Sequence, residues 1–183
     1  MTKTLLSTAF VAVLGAVAFV PAAQAAANTG TINITGKVVA DTCQLNVNGV
    51  KNGSVTLPTV TTATLNAAVG TVAGATGFNL TLTNCDTTAT AASLNFTGAA
   101  NNATDGNLTN TGTAGTNVEV QLLNGGTSGP VINTQTNANA PANVALTSGS
   151  SGTIAMTAQY YTKAASVTAG TVSTNATVTF SYQ

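Results

Sequence analysis

The sequence contains no histidine, no tryptophan and no arginine, and only 4% of its 183 residues are charged. The absence of histidine excludes Ser-His-Asp and Cys-His catalytic arrangements, and it leaves few candidate ligands for a metal ion. Four lysines are too few for the basic surface that nucleic-acid binding requires. We therefore expect no enzymatic activity, no metal or other cofactor, and no nucleic-acid partner.

What the sequence has instead is a neutral polar composition that favours strands. Roughly a fifth of the residues are threonine, whose β-branched side chain suits a pleated surface. The long side chains that favour helices are scarce. Hydrophobic residues make up 44% of the chain, which is too many for a disordered protein. The composition predicts an all-β protein of one domain.

Residues 1–25 have the features of a secretory signal peptide. Lys3 provides a positive start, an apolar run extends from Leu5 to Val20, and residues 23–25 read Ala-Gln-Ala, a small-x-small cleavage site. A membrane anchor is the alternative, but the run is short for a bilayer and ends in a cleavage motif. We predict a mature chain that begins at the next residue.

Export places the two cysteines of the chain in an oxidising compartment. There we expect Cys43 and Cys85 to form a disulfide, which loop-closure entropy would make worth roughly 4 kcal/mol. Two free buried thiols are the alternative. The spacing excludes a Cys-x-x-Cys redox pair.

Most of the mature chain alternates between apolar and polar residues in short segments. Clear examples are residues 78–83, 118–122, 154–160 and 177–182, and Asn-Gly at positions 48 and 49 predicts a hairpin turn. About eight strands with turn signals between them are typical of a β-sandwich. We find no amphipathic helix in the mature chain and no fixed-period repeat.

The remaining segments are predicted to be loops or short pieces of strand. Residues 59–76 have weak periodicity and read as a loop or an irregular edge, and residues 99–116 and 133–143 read as long polar loops. Val131 and Ile132 read as a short strand. The few charged residues, Glu119 and Lys163 among them, are scattered and are expected to lie on the solvated surface.

The first segment of the mature chain has the pattern of a strand that could pair with the open edge left by the last strand. Near the start, Ile32, Ile34 and Val38 alternate with polar residues, and Gly36 occupies the same row. The chain ends in a strand, which would leave one sheet edge open unless another strand pairs with it. A glycine in the apolar row indicates a site of close approach. The alternative is that residues 30–38 are the first strand of a self-contained sandwich.

Several segments, in this order, resemble those of the major pilin subunits of type 1 fimbriae, in the chaperone–usher class. The resemblance covers essentially the whole chain. Residues 30–39 followed by Cys43 resemble the N-terminal extension and first cysteine of that family, and residues 69–86 resemble its second-cysteine strand. The segments that complete the resemblance are residues 116–123, residues 158–161, the C-terminal segment 176–183 with its penultimate Tyr182, and Gly170, fourteenth from the end.

The resemblance implies an incomplete immunoglobulin-like β-sandwich that lacks its last strand, together with a detached N-terminal donor strand. The implied organisation is a signal peptide at 1–25, a donor-strand extension at 26–38 and a pilin domain at 39–183. A periplasmic chaperone would lend a strand to the open groove. At an outer-membrane usher, the extension of the next subunit would replace the chaperone strand. Ile32, Ile34 and Val38 would fill pockets in the groove, and Gly36 would lie at the tight spot, where there is little room for a side chain.

The same resemblance assigns the receiving groove partly to the C-terminal strand. Its expected residues are Gly170, Val178, Phe180, Tyr182 and Gln183, and the last two would also meet the chaperone. Tyr182 could instead serve only as a core aromatic.

The implied function is a structural subunit that polymerises with identical or related pilins into a surface fimbria supporting adhesion. A minor adaptor or ligand-binding fimbrial subunit is the alternative. Whether a single chain fills its own groove stays open at this stage.

Overall fold

We describe a computed structural model of the chain. The residues described are 32–36, 43–98, 105–115, 117–147 and 151–182. The predicted signal peptide, most of the predicted donor segment including Val38, and Gln183 lie outside these residues. Within the described part, no helix is long and apolar enough to cross a membrane.

The chain divides into two units, Met1–Gly36 and Lys37–Gln183. In the first unit, residues 32–36 form neither helix nor strand. Ile32 and Ile34 in this segment are 85% and 90% exposed. Two β-branched apolar side chains thus face solvent at alternate positions.

The second unit contains nine strands and one short helix within its described residues. Their bounds are β1 Gln44–Val47, β2 Val50–Lys51, α1 Thr62–Leu65, β3 Val72–Thr83, β4 Ala91–Gly98, β5 Leu108–Thr109, β6 Val118–Asn124, β7 Val144–Ala145, β8 Gly152–Thr162 and β9 Ala176–Tyr182.

The strands form two antiparallel sheets. One has six strands in the order β2-β1-β3-β8-β6-β5, and the other has three in the order β7-β4-β9. The first and last described strands of the unit therefore lie in different sheets. The predicted all-β sandwich is confirmed.

The period-two alternation of the sequence determines which side chains form the core. On β3, Leu80 and Leu82 are buried, and on β8 Met156 is buried. Leu94 and Phe96 of β4 are each 1% exposed and join the same apolar cluster from the other sheet. Because alternate residues of a strand point to opposite faces, this pattern places the core between the two sheets.

The predicted hairpin turn is present between β1 and β2. Val47 pairs with Val50, and the two residues between them have positive φ, 49° at Asn48 and 80° at Gly49. Two positive-φ residues define the type I′ turn that suits the twist of a hairpin, and Asn-Gly is the sequence that favours it.

The predicted disulfide joins Cys43 to Cys85. Cys43 directly precedes β1, and Cys85 follows β3, which pairs with β1 in register. The bond therefore clamps two strands that are already neighbours in the six-stranded sheet.

The segment 59–76, predicted to be a loop or an irregular edge, contains one turn of helix that was not predicted and the irregular start of a strand. One turn of helix forms at Thr62–Leu65, where the Thr61 side chain accepts a hydrogen bond from the Thr64 N–H at 3.2 Å. Strand β3 also begins already at Val72, and its pairing with β8 shifts between Ala73 and Thr76. A single helical turn is too short to show periodicity, and the bulge breaks the alternation of the strand.

Two further predictions need correction. Within the predicted polar loop 99–116, Leu108–Thr109 forms β5, and Leu108 is buried. The predicted strand at Val131 and Ile132 is reduced to one isolated bridge between Val131 and Leu123. Both segments are too short for alternation to establish their type.

Candidate functional site

Strand β9 shows that one side of the sandwich is incompletely covered. It is an edge strand, paired with β4 on one side and with none of the described strands on the other. Its inward residues Val178 and Phe180 are half-buried, whereas their β4 partners Phe96 and Leu94 are each 1% exposed. The inner face of the sheet is therefore closed over β4 and open over β9.

A cavity of about 590 Å³ lies where this cover is missing. Residues 53–57 line one side of it, residues 172–176 and Val178 line the other, and the inner face of the six-stranded sheet contributes most of the rest. The remaining lining residues are Val47, Phe78, Leu80, Phe96, Leu108, Val120, Leu122, Ala158 and Tyr160. We call this cavity the groove.

The side formed by residues 53–57 follows the β1–β2 hairpin. Gly53 begins it, and a Cβ there would lie 2.5 Å from the Val47 carbonyl oxygen, so the backbone turns without room for a side chain. Val55 and Leu57 are half-buried and pack against the core, while Ser54 and Thr56 are exposed. This segment alternates like a strand, although it pairs with no described strand.

The opposite side of the groove is held in place by the loop at residues 110–114. Thr111 N–H donates to the Ser173 carbonyl at 2.8 Å, and Ala114 N–H donates to the Thr171 carbonyl at 2.9 Å. Asn110, only 3% exposed, accepts from Ser173 N–H at 2.8 Å through Oδ1. No local pattern distinguishes Asn110 from the many other asparagines, so the sequence does not predict this function.

A second cavity of about 600 Å³ lies at the end of the groove nearest Val172. The two cavities share Tyr160 and Val172 as lining residues. Gly74, with φ +64°, packs on Tyr160, because a Cβ there would lie 2.9 Å from the ring. Burial raises the pKa of Tyr160 above its ordinary value of 10.0, so the phenol stays neutral at physiological pH. The Tyr160 side chain thus contributes to the boundary between the two cavities.

The structure places the predicted groove residues in three positions. Val178 lines the groove, and Phe180 and Tyr182 continue the same inward row of β9 with ring centroids 6.2 Å apart. Gly170 lines the second cavity instead, where its Cβ would lie 2.5 Å from the Ala114 nitrogen.

The residues that line the groove are mostly apolar. All of its lining residues are uncharged, and no cluster of metal-ligating side chains occurs among the described residues. Such a site can bind apolar side chains and pair with an extended backbone.

The expectation that the charged residues are all solvated is wrong for Glu119. Its side chain is 0% exposed, and Oε1 accepts from Lys163 Nζ at 2.8 Å. Oε2 accepts from Asn107 Nδ2 at 3.0 Å. The pair joins β6 to the residue after β8, which the spacing in sequence does not reveal.

Known proteins with a similar sequence or structure identify the family of this chain. The family model described as fimbrial protein matches residues 32–183. The major fimbrial subunit SMF-1 of Stenotrophomonas maltophilia (strain K279a) is 48% identical over 66 residues, which are 35% of this chain and 38% of that protein. The match thus spans well under two thirds of that relative.

Two solved structures share the fold. The P pilus rod subunit PapA matches with a TM-score of 0.53 and 21% identity, covering 72% of this chain and 93% of that chain. A Burkholderia pseudomallei antigen and type I fimbria protein matches with a TM-score of 0.50 and 22% identity, covering 78% of this chain and 99% of that chain.

The chain therefore shares its fold with fimbrial subunits of known structure. Because the family model covers most of the sequence, the chain belongs to the fimbrial protein family.

Proposed function

We propose that this chain is the structural subunit of a surface fimbria, and that it polymerises when the N-terminal segment of one copy fills the groove of the next. The observation that carries the proposal is the half-buried inward row of β9 beside an open apolar cavity. A strand laid there would pair with the free edge of β9 and cover that row. The occupant we assign is residues 26–38 of a second copy.

The segment fits this role in spacing and chemistry. Alternate residues of an extended strand lie about 6.6–6.8 Å apart on one face, so Ile32, Ile34 and Val38 would enter the groove from one side of the donor. Full burial of each would contribute roughly 1.5–3 kcal/mol. Ile32 and Ile34 are exposed in the single chain, so this apolar surface is available for burial on assembly.

Gly36 would lie just before the point where the groove meets the second cavity. Tyr160 and Val172 line both cavities there. A donor residue without a side chain needs little room at this point, whereas Val38, two positions further along, would reach Val172 and the second cavity. This arrangement would give Gly36 the close approach that a glycine in the apolar row indicates.

Assembly in this manner joins unlike surfaces head to tail, and such contacts do not close on themselves and so give a filament. We assign residues 1–25 to export, 26–38 to the donor segment and 39–183 to the pilin domain. A free apolar groove and edge strand would aggregate in the periplasm. A periplasmic chaperone that covers the groove, with the end at Tyr182 and Gln183 in contact with it, and an outer-membrane usher are therefore the expected partners.

Deleting residues 26–38 from the mature chain tests the proposal. The variant should be retained by its chaperone but should add no subunit through its own donor segment. Gly36→Arg should block assembly in the same way by steric exclusion, while Gly126→Arg is the matched control, because a Cβ at Gly126 meets nothing within 4 Å.

The measurement is an SDS gel of material sheared from cells, run unheated and after boiling in acid. The wild-type chain and the Gly126 control should give a high-mass ladder that collapses to one band near the mature mass. A normal ladder from either donor variant would show the donor assignment to be wrong. The abundance of the band separates a shaft subunit from a minor adaptor.

A further inference from the structure

Thr174 carries an unusual hydroxyl in the wall of the groove. Its Oγ1 is shielded from solvent and has no hydrogen-bond partner among the residues that the structure describes. The residue lies in the inward row that leads into β9, between Val172 and Ala176. A polar atom buried without a partner is destabilising, so this position calls for a partner that a single copy does not provide.

We propose that the Thr174 hydroxyl hydrogen-bonds to the backbone of Gly36 of the neighbouring copy, and that this bond sets the register of the donor segment. The proposal rests on the proposed function, because it requires residues 26–38 to occupy the groove. Thr174 would then be the residue that determines in which register the donor segment binds during assembly.

The register follows from the pattern of the two strands. A slip of one residue would turn the apolar donor residues away from the groove, so the competing registers differ by two residues. In an antiparallel pairing that sets Gly36 beside Thr174, the hydroxyl faces a backbone that no side chain covers. The neighbouring pairs in this register are Ile32 with Val178, Ile34 with Ala176, and Val38 with Val172.

The two nearest alternative registers leave the hydroxyl without a partner. They place Ile34 or Val38 over Thr174, and a branched apolar side chain there would leave the buried Oγ1 without a hydrogen bond. The remaining inward residues of this wall, Val172, Ala176 and Val178, are apolar and do not distinguish between registers. Thr174 is therefore the one inward position from 172 to 178 that favours a glycine opposite it.

The first experiment measures how fast sheared fimbriae dissociate to monomers in hot SDS. Thr174→Val keeps the shape and removes the hydroxyl, and we expect dissociation to be about 2- to 13-fold faster, the effect of one net hydrogen bond. Thr174→Ser keeps the hydroxyl and should stay within about twofold of wild type. Thr177→Val is the matched control, since Thr177 lies on the exposed face of β9. Equal rates for Thr174→Val and wild type would overturn the proposal.

The second experiment reads the register directly through an inter-subunit disulfide. Cysteines replacing Ile34 and Ala176 should cross-link neighbouring subunits, because directly opposed strand residues lie within disulfide reach. Cysteines replacing Ile34 and Val178 should cross-link at least fivefold less, and Thr174→Val should raise this second product. Equal cross-linking of both pairs with Thr174 intact would contradict the register.

The two experiments separate this inference from the proposed function. If neither cysteine pair cross-links and no ladder forms in any chain, the donor-strand proposal fails and this inference falls with it. If ladders form normally but Thr174→Val changes neither rate nor register, only the assignment of Thr174 fails.

Discussion

Lys163 Nζ lies 2.8 Å from Oε1 of Glu119, a carboxylate that is fully buried. Asn107 Nδ2 donates to the other carboxylate oxygen at 3.0 Å. A buried carboxylate is stable only when its oxygens are paired. In a chain with four basic residues, one of them is thus committed to neutralising a buried carboxylate.

Removing the cation should destabilise the subunit. We expect Lys163→Met to lower the free energy of unfolding by about 2 kcal/mol. This is less than the roughly 3–5 kcal/mol typical of a fully buried pair, because the Lys163 side chain keeps 38% of its surface exposed. Denaturant titration of the purified mature chain measures the change, and Lys51→Met is the control, because Lys51 is exposed on β2. Equal losses in the two variants would contradict a specific function of the pair.

The same ion pair predicts an alkaline limit to stability. The hydrogen bond to Glu119 raises the pKa of Lys163 above its ordinary value of 10.5, against a smaller opposing effect of burial. The folded state therefore holds this proton more tightly than the unfolded chain does. The resulting stabilisation is complete below pH 10.5 and is lost as pH rises through the folded-state pKa.

The measurement is the difference in unfolding free energy between wild type and Lys163→Met as a function of pH. The difference should be constant near neutrality and shrink at strongly alkaline pH. If the difference in unfolding free energy grew as the pH became alkaline, the predicted direction of the effect would be wrong.

Gly170 should be intolerant of even one methyl group. Its Cβ would lie 2.5 Å from the Ala114 nitrogen and 2.6 Å from the Thr113 carbonyl carbon, and neither backbone atom can move without disturbing the loop that holds residues 171–173. We expect Gly170→Ala to destabilise the chain by roughly 1–3 kcal/mol. Gly126→Ala, in open space, should change stability by less than about 0.5 kcal/mol. Denaturation midpoints of the two variants test this, and similar midpoints would refute the packing argument.

The strands were the most predictable part of this protein because their signal is local. The alternation at residues 78–83 and 177–182 identifies both a strand and its inward face, and the structure confirms both. Asn48 and Gly49 identify a turn because few residues adopt positive φ at low cost.

The site was predictable only in part, because much of it is made by contacts between distant segments. Val178 could be assigned to a groove from the resemblance to pilins. Asn110 and Tyr160 could not, since Asn110 contacts Ser173 and Tyr160 packs on Gly74, both distant in the sequence. Thr174 could not either, because its proposed partner lies in another copy. Glu119 was misread for the same reason: its partner Lys163 is 44 positions along the chain.

The hydrogen bonds that tie residues 110–114 to residues 171–173 have a kinetic consequence. They fix one wall of the groove within a single copy, so the receptor is shaped before any donor arrives. If a donor segment binds there as proposed, the entropy lost on association would come mainly from ordering that segment and less from the groove. In the proposed assembly, a preorganised wall lowers the entropy cost of binding and therefore slows the release of the donor segment once it is bound.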